Sequence, residues 1–155
     1  MKRLGNDATL TRLGDVYQYL FVVKNCLELK ENEQIYVEQY GDIAKISPKD
    51  SVQTEVKHHL SEHNLSDRSE DFWKSLRNWL KNYDYAAKFK SLILLTTSSI
   101  PATSAFYQWD LKHPTDRLSI LKDIGQMRGG RRYFVSCMKK CFLFPTTKFL
   151  TYSRI

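Results

Sequence analysis

Hydrophobic and polar positions change period several times along the chain, and each change marks an element. In residues 14–29, GDVYQYLFVVKNCLEL, apolar side chains recur at helical spacing. Val16, Leu20, Val23 and Leu27 form one stripe, widened by Tyr17, Phe21 and Cys26, which predicts a helix packed on a sheet through that stripe. Glu31-Asn32-Glu33 marks a polar turn. Ile35 to Gln39 then alternates, with Ile35 and Val37 on one face and Tyr36 and Glu38 on the other. Two more short runs, Asp42 to Ile46 and Val52 to Lys57, flank Ser47-Pro48-Lys49-Asp50-Ser51, whose residues suit a tight turn, so the pair reads as an antiparallel hairpin.

Further along, Ser66 or Asp67 is placed to cap a helix carrying Phe72, Trp73, Leu76, Trp79 and Leu80. The two tryptophans read as core anchors. Tyr83 to Lys90 breaks the pattern, and Ser91 to Thr97 is a continuous apolar run, as in a strand buried on both faces. The hydroxyls of Thr96, Thr97, Ser98 and Ser99 either end that strand or face a phosphate. A short helix is expected over Ser104 to Leu111. Thr115 to Gly125 reads as an amphipathic helix with Leu118, Leu121 and Ile124 inward and Gly125 as its stop. Together these elements predict an α/β fold, a central mixed β-sheet flanked by helices.

The chemistry sits in the hairpin. A period of two sends Gln53, Glu55 and Lys57 to one face. If paired residue numbers sum to 97 or 99, Asp42 lies opposite Glu55 or Lys57 on that same face. A slip of one residue would carry it to the other side. Two carboxylates, with the main-chain carbonyl of Val56, offer hard oxygen donors to Mg²⁺, and a lysine beside them can orient water and offset developing negative charge. That set serves metal-assisted phosphodiester hydrolysis. The plainer reading is an edge strand whose Glu and Lys make a weak surface pair. Glu38 shares the parity of Asp42 and would join the site if the strand ran unbroken, but Gly41 predicts a bulge or turn between them. His58, His59 and His63 follow the lysine without a zinc-site spacing or a nearby cysteine, and read as solvated side chains or phosphate contacts at the mouth of the site.

Composition and charge narrow the setting. The 155 residues suffice for one domain with a core, and 42% hydrophobic and 13% aromatic residues argue for a folded chain. No stretch is apolar and long enough to span a bilayer, and the N-terminus lacks the apolar centre of a signal peptide, so a cytoplasmic protein without membrane contact is expected. Cys26, Cys137 and Cys141 imply no disulfide framework. The net charge of +7 is unevenly placed: residues 1–123 balance 17 Lys and Arg against 17 Asp and Glu, while 124–155 carry 7 basic residues and no acidic one. The chain therefore divides into a domain over 1–128 and a basic, aromatic tail over 129–155. That tail either holds a phosphate backbone or is a frayed end, and its departure in composition also suits a truncated or frame-altered piece of a longer protein.

Asp42, a turn and then Glu55-Val56-Lys57 resemble the Asp…Glu-X-Lys signature of the PD-(D/E)XK nuclease superfamily, with Gly41 where a proline usually precedes the Asp. Gly14-x-x-Tyr17-Gln18, Glu38-x-x-x-Asp42 and Ser69 to Trp79 are similar to segments of the double-stranded DNA endonuclease domain found in effectors of cyclic-oligonucleotide anti-phage (CBASS) systems. The resemblance spans about residues 14–125. It implies a restriction-endonuclease-like core and a Mg²⁺-dependent endonuclease, Mn²⁺ substituting, acting on double-stranded DNA in antiviral defence. Asp42, Glu55 and the Val56 carbonyl would bind metal, and Lys57 would position water. Gln53 would orient a neighbouring group, and Glu38 and Gln18 would support the ligands. His58, His59, Arg131 and Arg132 would contact the nucleic acid. Effectors of this kind join the nuclease to a sensor that drives homo-oligomerisation, and nothing in this chain looks like that sensor. Two further readings stay open: a binding or assembly module that does not cleave, and cleavage of RNA.

Overall fold

The computed structural model describes residues 8–126 and 151–153. Its frame is a mixed sheet with helices on both faces. Strands β1 (Gln34–Val37), β2 (Ile43–Ile46) and β3 (Val52–Lys57) run antiparallel as a meander, and β4 (Ser91–Thr96) lies parallel to β3. A parallel neighbour requires a crossover, here supplied by α2 (Glu70–Lys81) and the short α3 (Tyr83–Ala86). A brief β5 (Thr151–Ser153) pairs parallel with β4 at the far edge. Apart from that strand, the tail, including Arg131 and Arg132, lies outside the described residues.

The larger core lies on one face of the sheet. Ala44, Leu92 and Leu94 meet Phe72, Trp73, Leu76, Trp79 and Leu80 of α2, together with Phe106, Trp109, and Leu121 and Ile124 of α4 (Pro114–Gln126). Both α2 tryptophans are buried, as the helical spacing predicts. The opposite face carries a smaller cluster, Ile43, Val56 and Leu95, covered by Tyr17, Phe21 and Val22 of α1 (Thr9–Leu27).

Four sequence expectations change. The Val16, Leu20, Val23 and Leu27 stripe of α1 is exposed, from 54% at Val16 to 84% at Leu27, and Cys26 is exposed as well. The helix is apolar around most of its circumference, so periodicity alone left its inward face undetermined, and Gln18, polar but buried, marks the face that meets the sheet. Asp67 does not cap α2, which begins after Ser69. The Asp67 carboxylate instead accepts hydrogen bonds from Ser104 Oγ (2.9 Å) and Ala105 N (2.7 Å), bracing the loop after β4. Gly125 does not stop α4, which runs through it to Gln126. Over Ser104 to Leu111 only Trp109–Leu111 is helical, as a single 3₁₀ turn.

The two faces of the protein should respond differently to truncation. Leu76→Ala removes a fully buried side chain and should cost about 2–5 kcal/mol, whereas Leu20→Ser should change stability by less than about 0.5 kcal/mol. Urea unfolding midpoints measure both; a comparable loss in the two variants would return the outer stripe of α1 to the core.

Candidate active site

Site geometry follows from the β2–β3 register. Ile43 pairs with Thr54, Ala44 with Gln53 and Lys45 with Val52, so partner numbers sum to 97. Extending that register one step beyond the end of β2 sets Asp42 opposite Glu55, one of the two arrangements that the hairpin pattern allowed. β2 begins only at Ile43, whereas its antiparallel partner β3 continues past Thr54 to Lys57. The freed Val56 N–H donates to Asp42 Oδ2 at 2.6 Å, replacing the missing strand partner with a carboxylate. Since N–H and C=O of one strand residue point to the same side, the Val56 carbonyl also faces this gap. The next residue points the other way, and its carbonyl accepts from Thr97 N on the β4 side.

Glu55 is buried at 7% exposure and shares its sheet face with Ala44, Gln53 and Leu94. A cavity of about 610 Å³ opens over Glu55 and Gln53, walled by Tyr40, Asn78, Trp79 and Asn82. Lys57 Nζ stands 3.6 Å from Glu55 Oε2, a loose pair that leaves the ammonium donors room for another acceptor. Gln53 is buried directly under the hairpin turn. At Gly41, with φ of 98°, an added Cβ would come within 2.4 Å of Gln53 Nε2, so glycine serves both the left-handed backbone and the close approach.

Glu38 enters from the other end of that turn. Its φ is 57°, and its N–H donates to the Asp42 carbonyl at 3.1 Å, closing the loop over Gln39, Tyr40 and Gly41. Gln18 of α1 fixes both partners: its Nε2 donates to Glu38 Oε1 at 2.6 Å and to the Asp42 carbonyl at 3.2 Å. The turn at Gly41 itself, rather than an unbroken strand, brings Glu38 to the cluster. The structure gathers Gln18, Glu38, Asp42, Gln53, Glu55 and Lys57. The histidines diverge: the ring of His58 lies 4.9 Å from that of Tyr17, whereas His59 Nε2 lies 2.7 Å from Asp71 Oδ2. Asp71 carried no local signal, because it meets His59 only through the placement of α2. The hydroxyl of Thr97 is used within the fold, accepting from His59 N at 2.8 Å.

Three carboxylates around one strand end create an electrostatic tension. Burial pushes the Glu55 carboxyl up to about 7, with the Asp42 charge adding to the shift and Lys57 opposing it. Asp42 is also raised, chiefly by burial, against the lowering effects of the Val56 N–H and Lys57. Such a cluster favours whatever brings positive charge to it. Asp42, Glu55 and the Val56 carbonyl are hard oxygen donors, whose chemistry suits Mg²⁺ or Mn²⁺ rather than a soft metal. Comparison of the chain with protein-family models, with curated proteins and with solved structures finds no match.

A raised carboxyl pKa has a definite sign in stability. The folded state binds the Glu55 proton more tightly than the unfolded chain, so its contribution is full below the ordinary value of 4.5 and is lost as pH rises through about 7. Metal-free protein should therefore lose stability over that interval, and Glu55→Gln should flatten the decline. Urea midpoints measured across this range test it; parallel profiles for the two proteins would contradict it.

Proposed function

We propose that the protein is a Mg²⁺-dependent endonuclease that hydrolyses phosphodiester bonds of double-stranded DNA. One observation carries the reading: the β2–β3 register brings Asp42, Glu55 and Lys57 together at the point where β2 ends, with Glu55 buried and its carboxyl raised to about 7. A carboxylate buried beside two others is costly unless a cation compensates it. The antiparallel β1–β2–β3 meander followed by a helical crossover to parallel β4 supports a restriction-endonuclease-like core. The sequence resemblance supplies the setting, the nuclease domain of an anti-phage defence effector.

In this reading Asp42, Glu55 and the Val56 carbonyl would hold the ion. Bound Mg²⁺ would polarise a phosphoryl oxygen and acidify a water. Lys57 would donate to the attacking water and offset charge as the water oxygen bonds to phosphorus and the bond to the leaving sugar oxygen breaks. The proton released by the water would pass to solvent, and the leaving sugar oxygen would take a proton from solvent. Glu38 and Gln18 are positioning residues: Gln18 anchors the Asp42 main chain and the Glu38 side chain together. Gln53, packed beneath Gly41 and lining the same cavity as Glu55, would orient a group beside the carboxylates. Proton displacement from Glu55 accompanies metal binding, so activity should rise as pH passes through about 7.

Supercoiled plasmid incubated with the purified chain tests this. Nicking or linearisation should require Mg²⁺, stop with EDTA, and fall about a hundredfold or more in Lys57→Ala. Glu55→Gln should abolish it. DNA binding without cleavage under any of these conditions would replace the enzyme with a non-catalytic module, and cleavage confined to an RNA duplex or strand would change the substrate.

A further inference from the structure

A second group of metal-ligating side chains lies beyond the end of β3. His59, His63 and Asp71 bring one donor atom each within 4.8 Å of one another. None of the three is assigned to the carboxylate cluster, and they come from two separate segments, the loop after β3 and the first turn of α2. We propose that His59, His63 and Asp71 form a binding site for a divalent transition-metal ion, with Zn²⁺ as the representative ion. The inference goes beyond the nuclease reading and does not depend on it.

The loop is built to hold both histidines still. Thr97 Oγ1 accepts from His59 N at 2.8 Å and donates to the His59 carbonyl at 3.2 Å. Ser99 N donates to the His63 carbonyl at 2.8 Å, and Leu65 N donates to the Ser99 carbonyl at 2.8 Å. The chain past β3 thus runs beside the end of β4 through a parallel bridge of Asn64 with Ser99. The imidazoles of His59 and His63 stack at 4.1 Å with planes 9° apart, and one ring nitrogen of each belongs to the three-atom group.

The surroundings match what a metal-bound histidine uses. His63 Nδ1 lies 2.9 Å from the hydroxyl of Ser98, a residue with no exposed surface. With Nδ1–H donating to that oxygen, Nε2 keeps its lone pair for an ion, and a ring fixed through its other nitrogen is the recurrent arrangement around bound metals. His59 Nε2 and Asp71 Oδ2 now face each other at 2.7 Å. Two donors on one tetrahedral ion sit about 3.4 Å apart, so the pair must part by less than an ångström. Both side chains are at the surface, about a quarter exposed, and have room to do so. Two imidazoles and a carboxylate suit zinc and its neighbours rather than Mg²⁺, and three protein donors leave a position for water or an anionic oxygen.

The test uses the full chain with the metal alone. Zn²⁺ is titrated calorimetrically, and Co²⁺ serves as a stand-in whose visible absorption reports nitrogen and oxygen ligation. The site should take one ion per chain, with affinity falling about a hundredfold in His63→Asn and in Asp71→Asn. Asp42→Asn/Glu55→Gln, which disables the carboxylate cluster, should leave it unchanged. His63 is exposed, so its variant is expected to fold, and circular dichroism confirms that it does. Absence of binding in the parent chain would overturn the proposal, leaving a His–Asp hydrogen bond only. Binding that survives loss of His63 and Asp71 but vanishes in the carboxylate double variant would overturn it too, by assigning the ion to the other site. Plasmid cleavage is not the readout, so the fate of the nuclease reading is decided separately.

Discussion

The hydrogen bond from the Val56 N–H to the Asp42 carboxylate is the contact on which the rest of the site depends. It forms because β2 begins at Ile43, two residues short of the Gly41 that the register would set opposite Val56, leaving a β3 donor without a strand partner. An unsatisfied buried N–H costs about 1–3 kcal/mol, so the carboxylate is drawn into the gap and the register locked at once. A slip of one residue would leave that donor empty and turn Gln53, Glu55 and Lys57 to the face covered by α1. Structural satisfaction and chemical grouping are therefore the same event.

Around that bond the protein concentrates negative charge in a place with little water. The Asp42 and Glu38 charges disfavour ionisation of Glu55, and the Glu38 charge that of Asp42, while Lys57 at 3.6 Å from Glu55 offsets only part of the cost. Gln18 neutralises nothing but holds the geometry, since one amide nitrogen bridges a side chain and a main chain on either side of the hairpin turn. The larger hydrophobic core lies on the sheet face that carries Glu55. It can keep the carboxylate buried while the cavity beside Trp79 and Asn82 keeps it reachable.

Most of the strand architecture was legible in the sequence, because alternation fixes faces and the Ser47 to Ser51 turn fixes which strands meet. The same pattern allowed Asp42 to face either Glu55 or Lys57; choosing between them required the three-dimensional capping of Val56. The inward face of α1 was misread for a related reason. With apolar residues around most of the helix, the Val16, Leu20, Val23 and Leu27 stripe did not single out the inside, which buried Gln18 marks through its two hydrogen bonds. Asp67 has the right chemistry for a helix cap but satisfies Ser104 and Ala105, some forty positions away. Gly125 looked like a terminator, yet a glycine inside a helix costs only about 1 kcal/mol, and the neighbouring Leu121 and Ile124 are buried. The pairing of His59 and His63 with Asp71 had no sequence signature, since it arises from where α2 lands on the sheet.

A crystal of the protein soaked in Mn²⁺, with anomalous differences collected at the manganese edge, tests the central claim most directly. The nuclease reading predicts a peak in the gap at the end of β2, within ligand distance of the Asp42 and Glu55 carboxylates and the Val56 carbonyl. A fully soaked crystal with no density there, or with manganese only between His59, His63 and Asp71, would contradict it.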